Sequence, residues 1–278
     1  MPQSTDYLVE ILGCPATGMF EPVNADYLCP FIGNACVKRG HNTTDPFPVC
    51  SIQKYINRGK DRRAERPVVV CPKRFFQADL VTDILEHCWI GSYDRSKIVS
   101  VKEIKMGKAG TVDMVICDTS DLPNIEKFIS VELQAIDITG TVSDVYSAHT
   151  NRVPLTALPK YNFNTSNVLK RYLTQLIKKG YFHSTWNKKI VAVVQDVLLE
   201  SIRERVRFAP TDPKNERTDI IFISYTLDTS LVNEEGYYDL KLREVVGTQH
   251  SALMNAVVYE PPPNKGKFIE AIKRQLEP

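Results

Sequence analysis

Two short apolar segments of this chain each carry an acid, and that pairing restricts the fold more than any other feature. In Val112-Asp113-Met114-Val115-Ile116 and Val131-Glu132-Leu133-Gln134-Ala135 the neighbours are β-branched or aliphatic, the composition of buried strands. A carboxylate taken out of water is costly unless a cation or a metal ion stands beside it. A fold that buries both segments must therefore supply one. Glu132 and Gln134 are two residues apart, so on a strand they point to the same face. A turn-rich stretch, Thr119-Ser120-Asp121-Leu122-Pro123-Asn124, separates the segments. If the strands pair, Asp113 projects from that face as well.

The surrounding pattern alternates helices with strands. Residues 77–90 show helical periodicity, with Leu80, Val81, Ile84, Leu85 and Cys88 on one face. Strands are predicted over 98–106, 112–117 and 128–138. An amphipathic helix follows over 167–179, with Val168, Leu169, Tyr172, Leu173, Leu176 and Ile177 inward. Lys170, Arg171, Lys178 and Lys179 lie toward its other side, and Gly180 is read as the C-cap. Further strands are predicted over 189–194 and 219–225. A short helix or strand over 253–257 is ended by Pro261-Pro262-Pro263, and a helix covers 266–276. This order predicts an α/β (α+β) fold with a mixed central β-sheet flanked by helices. Residues 1–28 read as an irregular arm and 75–278 as the core. Residues 29–74 read as a loop-like module with four cysteines, in which 61–66 form a charged surface loop.

Carboxylates on paired strands suit phosphodiester hydrolysis. Mg²⁺ prefers hard oxygen ligands, usually one or two carboxylates with water and phosphate oxygens. Asp113 and Glu132 are the expected ligands, with the Leu133 backbone carbonyl completing the set. Gln134 would position the attacking water or contact the phosphate. Glu103, in Val101-Lys102-Glu103-Ile104-Lys105, is a further candidate, and Glu86 a weaker one.

Net charge is +2, but it is unevenly spread. Residues 29–78 hold ten Lys/Arg against three Asp/Glu, and residues 145–195 hold eight Lys/Arg and no acid. Such stretches suggest a surface for a polyanion. Cys29, Cys36, Cys50 and Cys71 lack the compact spacing of zinc ribbons. Four thiolates nonetheless suit tetrahedral zinc or iron, in a closed structural site. Cys88 and Cys117 read as core thiols, and Cys14 as a loop thiol. His41, His87, His149, His183 and His250 show no ligand spacing and read as surface or satisfied histidines. No apolar run approaches the length of a membrane span, and the first residues do not resemble a secretory signal. The expected location is cytoplasmic.

Val112-Asp113, then Val131-Glu132-Leu133-Gln134-Ala135-Ile136-Asp137-Ile138-Thr139-Gly140, resembles the catalytic segment of the NotI-type restriction endonucleases. These are a branch of the PD-(D/E)XK nuclease superfamily in which Gln stands where most relatives carry Lys. Cys29-Pro30-Phe31, Cys36-Val37-Lys38, Val49-Cys50-Ser51 and Val70-Cys71-Pro72-Lys73-Arg74-Phe75 look like the same family's cysteine cage. The resemblance implies a Mg²⁺-dependent homodimer that cuts both strands of double-stranded DNA at a palindromic, GC-rich site. It also implies a caged iron, with zinc as the alternative. Gln134 can orient by hydrogen bonding but brings no positive charge. Two rivals remain: a non-cleaving metal-cage DNA-binding protein, and a non-specific repair or mobile-element nuclease of the same fold.

Overall fold

Ile190-Val191-Ala192-Val193-Val194 is apolar on both faces, and a strand of that composition is stable only with a layer packed on each side. The chain provides both layers. The computed structural model describes residues 3–17, 27–39, 46–58, 61–140, 142–259 and 264–276. His41 and Pro261-Pro262-Pro263 lie outside the described residues.

The first part of the chain contributes β1 (Leu8–Ile11), β2 (Cys14–Pro15), β3 (Leu28–Cys29), β4 (Asn34–Ala35), β5 (Val49–Arg58) and β6 (Asp61–Val69). A short 3-10 turn, Pro72–Gln77, leads into α1 (Leu80–His87). Then come β7 (Ile98–Lys105), β8 (Thr111–Asp118), β9 (Phe128–Gln134), β10 (Ile138–Gly140), α2 (Ser143–Thr150), β11 (Tyr161–Phe163) and α3 (Thr165–Thr185). The chain finishes with β12 (Lys189–Gln195), α4 (Asp196–Arg205), β13 (Ile220–Val232), β14 (Tyr238–Thr248), α5 (His250–Val258) and α6 (Lys265–Leu276).

The large sheet has six strands in the order β14-β13-β12-β9-β8-β7. It is mixed: β12 runs parallel to β9 and β13, while β7, β8 and β9 form an antiparallel meander and β14 pairs antiparallel with β13. Ile129, Val131 and Leu133 of β9 and Val191 and Val193 of β12 pack with Leu80, Ile84 and Leu85 of α1. Ile190, Ala192 and Val194 pack the opposite way, with Leu169, Leu173 and Leu176 of α3 and Leu198 and Ile202 of α4. Because side chains alternate along a strand, Ser130, Glu132 and Gln134 of β9 are turned toward α3. That turn of the strand builds the site.

A second sheet, ordered β2-β1-β5-β6, is made from the first part of the chain. Tyr7, Leu8, Ile11, Cys29, Cys36, Val49 and Ile52 share one hydrophobic cluster with the α3 face of the large sheet. Polar links fix the join. The Gln195 side chain accepts from the Val69 N–H (2.8 Å) and donates to the Pro67 carbonyl (2.8 Å). The Ile136 N–H donates to the Val69 carbonyl (3.2 Å). Deeper still, Glu10 of β1 and Arg74 of the 3-10 turn form a fully buried ion pair at 2.9 Å. Ser51 donates to the same carboxylate (2.7 Å), and the guanidinium also donates to the Tyr238 carbonyl and to Gln77. Burial raises the Glu10 carboxyl above its ordinary range, against the pull of Arg74.

Several local readings are corrected. Where it is described, the stretch 1–28 is not irregular: β1 pairs antiparallel with β5 and buries Tyr7, Leu8, Glu10 and Ile11. Residues 61–66 are not a loop but part of β6, the outer strand of a long hairpin with β5. Charge there suits an edge strand, where it discourages pairing with other chains. Gly180 is not a C-cap. It lies inside α3, where an added Cβ would meet the Ile220 side chain at 2.6 Å, so the missing side chain lets helix and sheet approach. The helices α2 and α4 and the strand β14 carried no expectation.

Arg74→Met should leave Glu10 buried without its cation and cost about 3–5 kcal/mol of unfolding free energy in urea titration. The double variant Glu10→Leu/Arg74→Met should recover most of that loss. Equal destabilisation in both would show that the pair itself is not what is being lost.

Candidate active site

Asp113 lies on β8 and Glu132 on β9, and the two strands pair antiparallel from Met114↔Val131 to Cys117↔Phe128. One step beyond the Met114↔Val131 pair, where Asp113 and Glu132 would face each other, the ladder stops. The Asp113 carboxylate takes over as acceptor, receiving the Leu133 N–H at 2.9 Å. The same position interrupts β7. The register joins Lys102 to Met114 and Ile104 to Val112 but passes over Glu103, whose backbone is left-handed (φ +57°). A glutamate in that conformation is strained, and such strain gathers at functional sites.

Helix α3 lies over this opening. Lys179 donates to the Glu132 carboxylate at 2.5 Å and to the Thr111 carbonyl at 2.7 Å. One residue earlier, Lys178 donates to the Lys108 carbonyl at 3.0 Å, so α3 also holds the β7–β8 turn. One helical turn further on, His183 is buried with both ring nitrogens bonded, to the Ser130 hydroxyl and the Lys179 carbonyl, each at 2.8 Å. Burial pulls its ring below its ordinary range. Burial pushes the Glu132 carboxyl up to about 7; Lys179 works against this, and the neighbouring Asp113 charge adds to it. Tyr172, also on α3, is buried, and among the described residues its hydroxyl has no hydrogen-bond partner. Burial raises its phenol far above the ordinary range, and the Glu132 and Asp113 charges raise it further, which sets the hydroxyl in their field.

The other expected residues lie at varying distances from this centre. Gln134 shares the face of Glu132, and its amide donates to the Ala135 carbonyl at 2.5 Å. The Glu103 side chain is 71% exposed and approaches Lys73, 3.6 Å away, rather than the other two carboxylates. Lys73 also stands 3.9 Å from Asp113. Glu86 is exposed on α1. Asp113 and Glu132 supply hard oxygen donors of the kind Mg²⁺ takes.

Cys29, Cys36 and Cys50 are buried and Cys71 is half-buried, and all four are free thiols. Burial raises the first three, and the Cys71 charge raises each of them further. The Lys38 ammonium, lowered by burial, feels Cys71, Cys50 and Cys36 and donates to the Val49 (2.7 Å) and Val70 (3.1 Å) carbonyls. The donor chemistry fits a thiophilic metal. Yet among the described residues no three Cys, His, Asp or Glu side chains are close enough to hold an ion as they stand. Cys88 and Cys117 are core thiols, with burial pushing Cys88 to about 12.

A family model described as restriction endonuclease NotI matches residues 20–238, most of the chain. The chain belongs to the NotI restriction endonuclease family. Membership implies a site-specific nuclease that binds DNA. A comparison with curated proteins finds no match. Among the described residues, no helix is long and apolar enough to cross a membrane.

Two lysines beside the carboxylates escape the sequence reading. Lys179 is buried against the carboxylates, not on the outer side of its helix. Its signal is present in the spacing, because Tyr172, Leu176 and Lys179 fall at i, i+4 and i+7 on one helical face. Lys73 carries no such local signal. The basic stretches also divide. Lys38, Arg66, Arg74, Lys179 and Lys189 are engaged internally, whereas Lys170 and Arg171 are exposed along α3, as is Lys178 despite its bond to the Lys108 carbonyl.

Tyr172→Phe should raise unfolding stability by about 1 kcal/mol in thermal or urea denaturation of the metal-free protein, because it removes a buried hydroxyl with no partner. A clear loss of stability would show that the hydroxyl is satisfied.

Proposed function

We propose that this protein is a Mg²⁺-dependent type II restriction endonuclease, a homodimer that cuts both strands of a palindromic, GC-rich site in double-stranded DNA. One observation carries the reading: two carboxylates on adjacent strands, on one sheet face, at a break in the ladder. Asp113, Glu132 and the Leu133 backbone carbonyl would hold the ion. When bound, Mg²⁺ supplies charge neutralisation at the phosphate and acidifies water.

The chain's own groups do the rest. The Leu133 N–H fixes Asp113, and Lys179 fixes Glu132. The Gln134 amide is anchored through its nitrogen, which leaves its oxygen free to accept from the attacking water. Water oxygen adds to phosphorus, one P–O ester bond breaks, the departing oxygen takes a proton and the water's proton passes to solvent. Exposed Lys170, Arg171 and Lys178 suit contacts with DNA phosphates. Two-fold symmetry would match one active site per chain to the two strands of a palindrome.

A caged iron, or zinc in its place, is proposed at Cys29, Cys36, Cys50 and Cys71. Its support is the mutual influence of the thiols and the half-buried Lys38 ammonium beside them, which thiolate charge would balance. One observation favours the non-cleaving rival: Glu132 already has a cation in Lys179.

Long bacteriophage DNA incubated with Mg²⁺ should yield discrete fragments. Asp113→Ala and Glu132→Ala should each lower the rate by at least about 100-fold. A smear supports the non-specific rival, and no cutting supports the non-cleaving one. Elemental analysis of the purified protein should find one iron or zinc per chain, lost in Cys50→Ser. A wild-type protein free of both metals removes the cage.

A further inference from the structure

We propose that Lys73 is a catalytic residue, presenting its ammonium to the scissile phosphate in place of the lysine this branch lacks two residues after Glu132. This rests on the reading of Asp113 and Glu132 as a phosphodiester-cleaving centre. Gln134 stands at that position, and it is neutral and tied to the Ala135 carbonyl. As negative charge builds on the phosphoryl oxygens, a preorganised cation in a partly dry site stabilises it strongly. The chain must find that cation elsewhere.

Two lysines reach the carboxylates, and their surroundings differ. Lys179 has only 6% of its side chain exposed and spends its donors on Glu132 and the Thr111 carbonyl. It holds Glu132 from the helix side and is too deep to touch a DNA backbone. Lys73 comes from the opposite direction, on the 3-10 turn Pro72–Gln77, with 24% of its side chain exposed. Its ammonium stands 3.9 Å from Asp113 Oδ1 and 3.6 Å from Glu103 Oε1. Both separations exceed hydrogen-bond reach, so the ammonium is held by charge while its N–H donors remain unspent among the described residues. The Phe76 ring lies 5.6 Å away and restricts where it can swing.

The backbone beneath Lys73 is fixed on both sides. Pro72 restricts the preceding dihedral, and the next residue, Arg74, is locked to Glu10 in the core. A cation so placed is preorganised rather than recruited. In the reaction it keeps its protons: its N–H groups hydrogen-bond the non-bridging phosphoryl oxygens while water adds and the ester bond breaks. Lys102 makes a useful contrast, since its ammonium lies 4.4 Å from the same Phe76 ring but it is exposed and pairs with neither carboxylate.

The test compares wild type, Lys73→Met, Lys73→Arg, Lys73→Ala, Lys102→Met and Asp113→Ala on long bacteriophage DNA. Cleavage is followed in single turnover with saturating protein and Mg²⁺, DNA affinity is measured with Ca²⁺ in place of Mg²⁺, and melting temperature is recorded. Lys73→Met should lose about 100-fold or more in rate, keep its melting temperature, and change DNA affinity by less than about threefold, since the contact strengthens only in the transition state. Lys73→Arg should retain part of the rate, added ethylammonium should partly rescue Lys73→Ala, and Lys102→Met should cut like wild type. If wild type cuts no DNA, the endonuclease reading falls and this one with it. If wild type cuts, Asp113→Ala does not, and Lys73→Met matches wild type, Lys73 alone is overturned. A rate loss that simply follows lost DNA affinity or a lowered melting temperature also overturns it.

Discussion

The buried pair of Glu10 and Arg74 is the interaction on which the arrangement hangs. Each ion is expensive to bury, and each is tolerated because the other is there with its donors and acceptors occupied. The pair draws three distant pieces of sequence to one point: the first strand, the turn after the second sheet, and the start of β14 through the Tyr238 carbonyl. Gln77 extends the reach, donating to Asp239 and accepting from the Leu240 N–H. Specificity, more than net stability, is what such a pair supplies. An apolar substitute could fill the volume, but it would not dictate the orientation of the turn next to it.

Around Asp113 the sheet gives up regularity. The β7–β8 and β8–β9 ladders both break at one level, and side chains or a strained backbone meet the break. The Asp113 carboxylate serves the Leu133 amide, Lys179 serves the Thr111 carbonyl, and Glu103 turns into a left-handed conformation. The close seating of α3 at Gly180 brings Lys179 within reach of Glu132. The resulting charge balance is local: two acids face one ammonium from the helix and another from the turn.

Much of this was legible from the amino-acid order because burial writes its own period. Strands β8, β9 and β12 are runs of β-branched residues, and the inward stripe of α3 repeats at helical spacing. Asp113 and Glu132 stood out because an acid within such a run must be explained. What stayed hidden follows from long-range geometry. Residues 61–66 look like a loop because five of the six are charged, and only pairing with β5 makes them a strand. Gly180 matched a helix end by residue type, while its true role depends on Ile220, forty residues later. Lys179 looks exposed by its charge, while its spacing from Tyr172 and Leu176 places it inside. Nothing near Lys73 announces Asp113, because the turn that carries it is positioned by Glu10.

The clasp of Gln195 on Val69 and Pro67 has a consequence for how this molecule opens. A single carboxamide at the end of the central strand satisfies both a donor and an acceptor of β6. The smaller sheet therefore cannot peel away as an independent unit without exposing the terminus of β12, the most deeply buried strand. Exchange of the Val69 amide with solvent requires release of the Gln195 carboxamide. The cysteine-bearing segment is thereby tied to the sheet that carries Asp113 and Glu132.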